Sequence, residues 1–116
     1  MAINSETLSL HFRCGSVAVN DVFVSSWGYE QTNVNFYQVI AVRGKKTAIL
    51  REIRAAVVNY DHSMVGNKKP VPNDFIGEAI TRRICDRGGE LAVKIEDYEQ
   101  ATKTRPDALH RFTSYA

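Results

Sequence analysis

The side chains best suited to chemistry are concentrated in residues 25–39, SSWGYEQTNVNFYQV, where aromatic, amide and hydroxyl groups surround one glycine. This segment contains the only tryptophan of the chain, Trp27. Large rings that carry a polar atom dominate the energetics of protein interfaces, and the neighbouring amides supply donors and acceptors. The segment therefore predicts a partner-binding surface formed by Trp27, Tyr29, Glu30, Gln31, Asn33, Asn35 and Tyr37.

The second half of this segment has the composition of a β-strand. Because side chains alternate along a strand, Asn33, Asn35 and Tyr37 are predicted to share an outward face, with Val34 and Phe36 on the other side. A stable hairpin whose amides satisfy the turn backbone, and whose aromatic rings cap the core, is the alternative interpretation.

Catalysis would require a general base or a nucleophile with a partner side chain. Glu30 is the only carboxylate of the segment, and no histidine lies near it in the sequence. His11 and His62 are interpreted as solvated surface residues, and Cys85 as a buried thiol in an apolar strand. The sequence thus predicts no catalytic residue and a non-enzymatic protein; an enzyme that uses Glu30 with a Tyr or Asn partner is the alternative.

A second candidate site is basic. Three pairs of cations fall in a turn, a loop and a strand, and they are predicted to meet on one side of a small barrel: Lys45, Lys46, Lys68, Lys69, Arg82 and Arg83. Beside exposed aromatic rings, such a patch would suit single-stranded nucleic acid, whose bases stack and whose phosphates pair with Lys or Arg. Ordinary solvated charges are the alternative.

The bulk properties predict one cytoplasmic domain over residues 1–116. Cys14 and Cys85 lie in no Cys-X-X-Cys pair and are predicted to be reduced thiols, with a disulfide as the alternative. Two cysteines and three scattered histidines indicate no metal site, and no motif indicates a cofactor. No apolar run approaches the roughly 20 residues of a membrane span, and no signal peptide is indicated.

Short strands are predicted to position these residues. Alternating apolar and polar residues predict a strand at 8–13, and further strands are predicted at 22–24 and 34–42. Residues 47–58 fit a strand with one bulge better than a helix. Residues 59–74, which contain two prolines, are predicted to form a long exposed loop.

The last third of the chain is predicted to contain strands within 76–85 and at 91–95, then a short helix within 96–104 that Asp97 caps. The tail from Pro106 is predicted to fray or to lie over the barrel. Five to six short strands without helix–strand alternation predict a mainly β fold with a minor α component. The expected architecture is a small antiparallel β-barrel or a strongly bent sheet with one short C-terminal helix.

Residues 25–39 resemble a motif found in small, largely uncharacterised proteins of phages and other mobile elements. Residues 76–84, IGEAITRRI, and 93–98, VKIEDY, resemble the second half of that group, so the resemblance covers roughly residues 16–99. The resemblance brings no activity and no catalytic residue with it.

A small phage-type protein without an enzymatic signature also resembles inhibitors of host defence, such as anti-CRISPR proteins, which block a protein surface. This resemblance implies a protein in the cytoplasm of a bacterial host. Its partner would be a host protein or a ribonucleoprotein complex that targets nucleic acid. A small β-barrel that binds nucleic acid or a nucleotide directly is the alternative.

Overall fold

The computed structural model describes residues 9–13, 15–28, 33–62 and 65–113. These residues form β-strands joined by turns and short irregular segments, and the described part of the chain contains no helix. The strands are β1 (Ser9–Phe12), β2 (Gly15–Ala18), β3 (Val22–Trp27), β4 (Asn33–Arg43), β5 (Thr47–His62), β6 (Val65–Phe75), β7 (Ile80–Arg87), β8 (Glu90–Glu96), β9 (Glu99–Thr104) and β10 (His110–Thr113).

A closed antiparallel barrel of six strands is the centre of the molecule, which confirms the predicted barrel. The strands follow one another around the barrel in the order β3, β4, β5, β7, β8 and β9, and β9 pairs with β3 to close it. Alternate side chains point inward and fill the barrel with an apolar core. The largest fully buried members are Phe23, Leu50, Ile84, Val39 and Val93.

Strand β7 changes partner halfway along its length. Residues 80–83 pair with β5, and residues 84–87 pair with β8. Across the resulting seam, the Arg82 guanidinium donates to the Ile95 carbonyl from Nε at 3.2 Å and from Nη2 at 3.1 Å. Arg82, which the sequence placed in a basic patch, therefore links β7 to β8 where their backbone ladder has ended.

The hairpin of β1 and β2 covers one end of the barrel. Leu10 and Val17 insert their side chains into the barrel core. Lys103 on β9 anchors the hairpin, because its Nζ donates to the Ser16 carbonyl at 2.7 Å and pairs with Asp21 at 3.2 Å. The hairpin lies beside the β4–β5 and β7–β8 turns, so the barrel is capped at that end.

Strands β5 and β6 continue beyond the barrel as a long ribbon, and β10 pairs with β6 at its edge. The loop predicted at 59–74 is therefore wrong, and the tail from Pro106 contributes a strand. The register between β5 and β6 breaks between Ile53 and Ala55: Pro70 pairs with Ala55 at the edge of the break, and Pro72 lies in the stretch of β6 that the break skips. The ribbon and β10 cover the outer face of β3 and β4 with a second apolar cluster: Val22, Val34, Phe36, Ile53 and Phe112.

The helix predicted within 96–104 is also wrong. Strand β8 ends at Glu96, a two-residue turn follows, and β9 begins at Glu99. Glu99 and Ala101 are buried in the barrel while Gln100 between them is exposed, which is the period of a strand. Burial against the barrel core thus overrides the local helical preference of this segment.

His110 is expected to make the stability of the fold depend on pH. Its ring lies 5.5 Å from that of Phe36, and partial burial lowers the pKa of His110. The unfolded chain accepts a proton that the folded state resists, so the free energy of unfolding is expected to fall as pH drops below about 6.5. The slope stays below the limit of about 1.4 kcal/mol per pH unit because the half-exposed ring is partly screened by solvent.

Urea unfolding of the wild type and of His110→Gln at several pH values between about 5 and 8 checks this prediction. The variant is expected to lose less stability than the wild type as the pH falls. Parallel pH profiles for the two proteins would show that His110 is not the titrating group.

Candidate functional site

Polar side chains line the interior of the barrel at the end opposite the β1–β2 hairpin. Tyr37 on β4 pairs with Glu52 on β5, and Ser25 on β3 and Glu99 on β9 lie beside them, since the Glu99 carboxylate bonds both the Ser25 and the Tyr37 hydroxyl. Each lies two residues along its own strand from a side chain that points into the apolar core. The closed barrel thus brings together hydroxyls and carboxylates that are far apart in the sequence.

The carboxylate of Glu99 is the centre of one hydrogen-bond network. The side chain is only 6 % exposed and accepts hydrogen bonds from Ser25 Oγ at 2.5 Å and from Tyr37 Oη at 2.8 Å. Burial, reinforced by the hydrogen bond to Glu99, raises the pKa of Tyr37 far above its ordinary value. Tyr37 therefore acts as a fixed donor at neutral pH and cannot serve as a base there.

A second network connects the rim of the barrel to its interior. Trp27 Nε1 donates to Asn35 Oδ1 at 2.6 Å, and Asn35 Nδ2 donates to Glu52 Oε2 at 2.8 Å. The Trp27 ring packs edge-on against Tyr98 with 5.4 Å between ring centroids. Because Tyr98 is 68 % exposed, this aromatic pair extends from the hydrogen-bonded interior of the barrel to the molecular surface.

A cleft of about 250 Å³ opens beside this pair. Four carboxylates and two tyrosines contribute to its wall, and no Lys or Arg of the described ranges lines it: Glu52, Glu78, Glu96, Glu99, Tyr37 and Tyr98. We call this cleft, together with Trp27 at its rim, the acidic mouth. Carboxylates concentrated at a low-dielectric wall produce a negative potential, which attracts cations.

The predicted partner-binding residues of the hairpin differ in how far they are buried. Trp27, Asn33 and Asn35 are half-buried at this end of the barrel, whereas Tyr37 is only 7 % exposed. Tyr29 and the segment 30–31 lie outside the described residues.

The outward orientation predicted for Tyr37 is wrong. Tyr37 faces the barrel interior, and it is Val34 and Phe36 that face away from the barrel, where the ribbon and β10 cover them. The alternation distinguished two faces of β4 correctly, but it could not tell which face the barrel would enclose because both faces are buried.

Most residues of the acidic mouth were not among the predicted site residues. Glu52 lies in the predicted strand 47–58, whose alternation of apolar and polar residues is shifted once. Glu96, Tyr98 and Glu99 lie in the segment that was predicted to be helical. The only signal was the alternation of Glu99 with Ala101, which indicates a strand rather than a helix.

The structure separates the three predicted basic pairs. Lys45 and Lys46 lie in the β4–β5 turn near Arg83, which pairs with Thr47. Lys68 and Lys69 lie on the ribbon, opposite Val57 and Ala56 of β5. Those two residues are nine or ten positions along β5 from Thr47, the partner of Arg83, which is a distance of about 30 Å at ~3.3 Å per residue. Lys68 Nζ also lies 4.6 Å above the Phe112 ring.

The remaining cysteine and histidine side chains do not form a further candidate site in the described part of the chain. Cys85 is a half-buried free thiol, and Cys14 lies outside the described residues. His11 is exposed on β1, while the side chain of His62 is not described. Within the described ranges, no group of three or more His, Cys, Asp or Glu side chains is arranged to hold a metal ion. No helix in that part of the chain is long and apolar enough to cross a membrane.

No protein family, curated protein or solved structure matches this chain. Its chemistry is therefore defined by the acidic mouth at one end of the barrel and by the charges displayed elsewhere on the surface.

Proposed function

We propose that this protein is a non-enzymatic interaction protein of the phage or mobile-element type that binds and inhibits a host nucleic-acid-targeting complex. The acidic mouth is the proposed contact site, and the partner contributes Lys or Arg side chains. The observation that carries this proposal is the exposed Tyr98 ring, packed on Trp27 directly beside the carboxylate-lined cleft.

The chemistry of the cleft suits a cationic side chain. Glu78 and Glu96 are exposed and can accept charge-assisted hydrogen bonds from a guanidinium or ammonium group. The Tyr98 ring offers a face for a cation–π contact. Complexes that hold nucleic acid present Lys and Arg to its phosphates. A protein that occupies those cations with carboxylates and an aromatic ring would compete with the nucleic acid.

The interior of the mouth supports a non-enzymatic role. Tyr37 is held as a hydrogen-bond donor, and Glu99 accepts from two hydroxyls. Glu52 accepts from the Asn35 amide. These groups are already hydrogen-bonded within the barrel, and such preorganisation favours recognition of a partner because less conformational entropy is lost on binding.

Tyr98→Ala is expected to weaken partner binding about 30-fold, the effect of removing an interface hot spot worth roughly 2 kcal/mol. Tyr98 is a better test than Trp27, because Trp27 also donates to Asn35 inside the barrel. Glu96→Gln is expected to weaken binding several-fold. Glu90→Gln is the matched control, since it removes the same charge from the opposite end of β8.

The measurement has two parts. Wild type and variants are expressed in a bacterial host whose nucleic-acid-targeting defence destroys an incoming plasmid, and plasmid survival is counted. The defence complex is then purified and titrated calorimetrically with each protein. We expect the wild type and Glu90→Gln to protect the plasmid and to bind, and Tyr98→Ala to do neither.

Two results would count against the proposal. Failure of the wild type to protect the plasmid or to bind the complex would contradict the inhibitory function. Full binding by both Tyr98→Ala and Glu96→Gln would show that the partner contacts another surface.

A further inference from the structure

A cluster of cations lies at the capped end of the barrel, away from the acidic mouth. The strand register places Arg43 on β4, Thr47 on β5 and Arg83 on β7 side by side. At a strand spacing of about 4.8 Å, the backbones of the two arginines are about 10 Å apart. Lys45 and Lys46 extend the cluster from the adjoining turn, and Lys46 is held to β7 because its carbonyl accepts from Ile84 N at 2.7 Å.

These four cations, Arg43, Lys45, Lys46 and Arg83, form what we call the cationic corner. All four are exposed, and none forms an ion pair with another residue of the described ranges. Several other cations are paired with a carboxylate, as Arg54 is with Asp74 at 2.8 Å and Lys103 is with Asp21 at 3.2 Å. The corner therefore carries a concentrated positive charge that the described part of the fold leaves uncompensated.

We propose that the cationic corner binds the phosphate backbone of a nucleic acid without reading its sequence. Four neighbouring cations, two of them on backbones about 10 Å apart, suit the closely spaced charges of a nucleic-acid strand. Protein interfaces are depleted in lysine and enriched in aromatic residues. The corner has two lysines and no aromatic residue, so its composition fits phosphates better than an acidic protein surface.

This inference does not rest on the proposed function, because it uses different residues at the opposite end of the barrel. The fold explains why the two surfaces coexist, since β4 runs from the mouth at Asn33 to the corner at Arg43. One molecule could therefore contact a basic protein surface at one end and nucleic acid at the other.

Fluorescence anisotropy with a labelled single strand of about 20 nucleotides tests the inference across a salt series. We expect wild-type log K to fall with log salt at a slope near −3, from about 0.7 per phosphate contact. Arg43→Gln/Arg83→Gln is expected to halve that slope and to weaken binding at least tenfold at about 50 mM salt. Both residues are exposed, so circular dichroism should show an unchanged fold.

Lys68→Gln/Lys69→Gln is the matched control, because it removes the same net charge from the ribbon. It is expected to leave the slope unchanged. Equal losses of affinity in the two double variants would show that only the net charge matters, not the position of the cations. Absence of wild-type binding at about 50 mM salt would show that the cationic corner is not a nucleic-acid site. If a polyglutamate peptide of equal charge binds as tightly as the nucleic acid, the corner is a site for acidic protein and the inference is overturned.

Discussion

Glu99→Ala is expected to lower the free energy of unfolding by about 3–5 kcal/mol, among the largest effects of any single substitution in this protein. The substitution removes the acceptor that the Ser25 and Tyr37 side-chain hydroxyls share, and both residues are buried in the barrel. Each buried hydroxyl left without a partner costs about 1–3 kcal/mol, and the lost side-chain volume adds a cavity. Urea unfolding followed by far-ultraviolet circular dichroism measures the loss.

Two further substitutions show whether the network is the cause. Glu99→Gln keeps an acceptor oxygen of the same reach, so we expect it to cost less than half as much as Glu99→Ala. Glu96→Ala removes an exposed carboxylate from the neighbouring strand and should change stability by less than about 0.5 kcal/mol. A loss below about 1 kcal/mol for Glu99→Ala would show that the buried hydroxyls find other partners.

Gln38→Ala is expected to cost about 2–4 kcal/mol, because Gln38 holds the ribbon against the barrel. Its side chain is 1 % exposed on the outer face of β4. Nε2 donates to Asn20 Oδ1 and to Asn73 Oδ1, each at 3.0 Å, and Oε1 accepts from the Asn73 backbone N–H at 2.7 Å. Removing this amide breaks three hydrogen bonds between β4, the β2–β3 turn and β6.

We call Gln38, Asn20 and Asn73 the amide clamp. Its two asparagines cannot be replaced freely. Asn20 and Asn73 have φ angles of 81° and 70°, in the left-handed region that asparagine tolerates better than most residues. Asn73→Gly keeps that backbone conformation and its N–H donor but loses one side-chain partner, so we expect it to cost less than Gln38→Ala. Thermal unfolding of both variants measures the difference.

The exposed Gln100 on β9 is the matched control for the loss of a glutamine. Gln100→Ala should change stability by less than about 0.5 kcal/mol. Equal effects of Gln38→Ala and Gln100→Ala would contradict the role assigned to the amide clamp.

The barrel could be predicted from the sequence because its strands carry local signals. Residues 34–42 combine β-branched and aromatic side chains. Residues 47–58 alternate with one shift because Leu50 packs in the barrel core, whereas Ile53 belongs to the apolar cluster on the outer face. The predicted bulge at this shift is wrong, since β5 pairs with β4 in unbroken register from Leu50 to Ile53. The aromatic and amide side chains of residues 25–39 include Trp27 and Asn35, which the structure places beside the acidic mouth.

The ribbon and strand β9 could not be predicted in the same way. Pro70 and Pro72 are typical of a loop, and only the register break between β5 and β6 makes them compatible with a strand. Residues 96–104 have a plausible helix cap and good helical residues. Their conformation is decided by burial of Glu99 and Ala101 among residues distant in sequence.

The sequence by itself determined a β-rich chain, the positions of its central strands and the concentration of aromatic and amide groups near Trp27. These properties depend on neighbouring residues, so local periodicity reveals them. Only the tertiary structure decided that Tyr37 points inward, that Glu52 and Glu99 join it, and that the basic pairs separate. Closure of the barrel and the register of β5 fix those relations, and they depend on contacts between residues that are far apart along the chain.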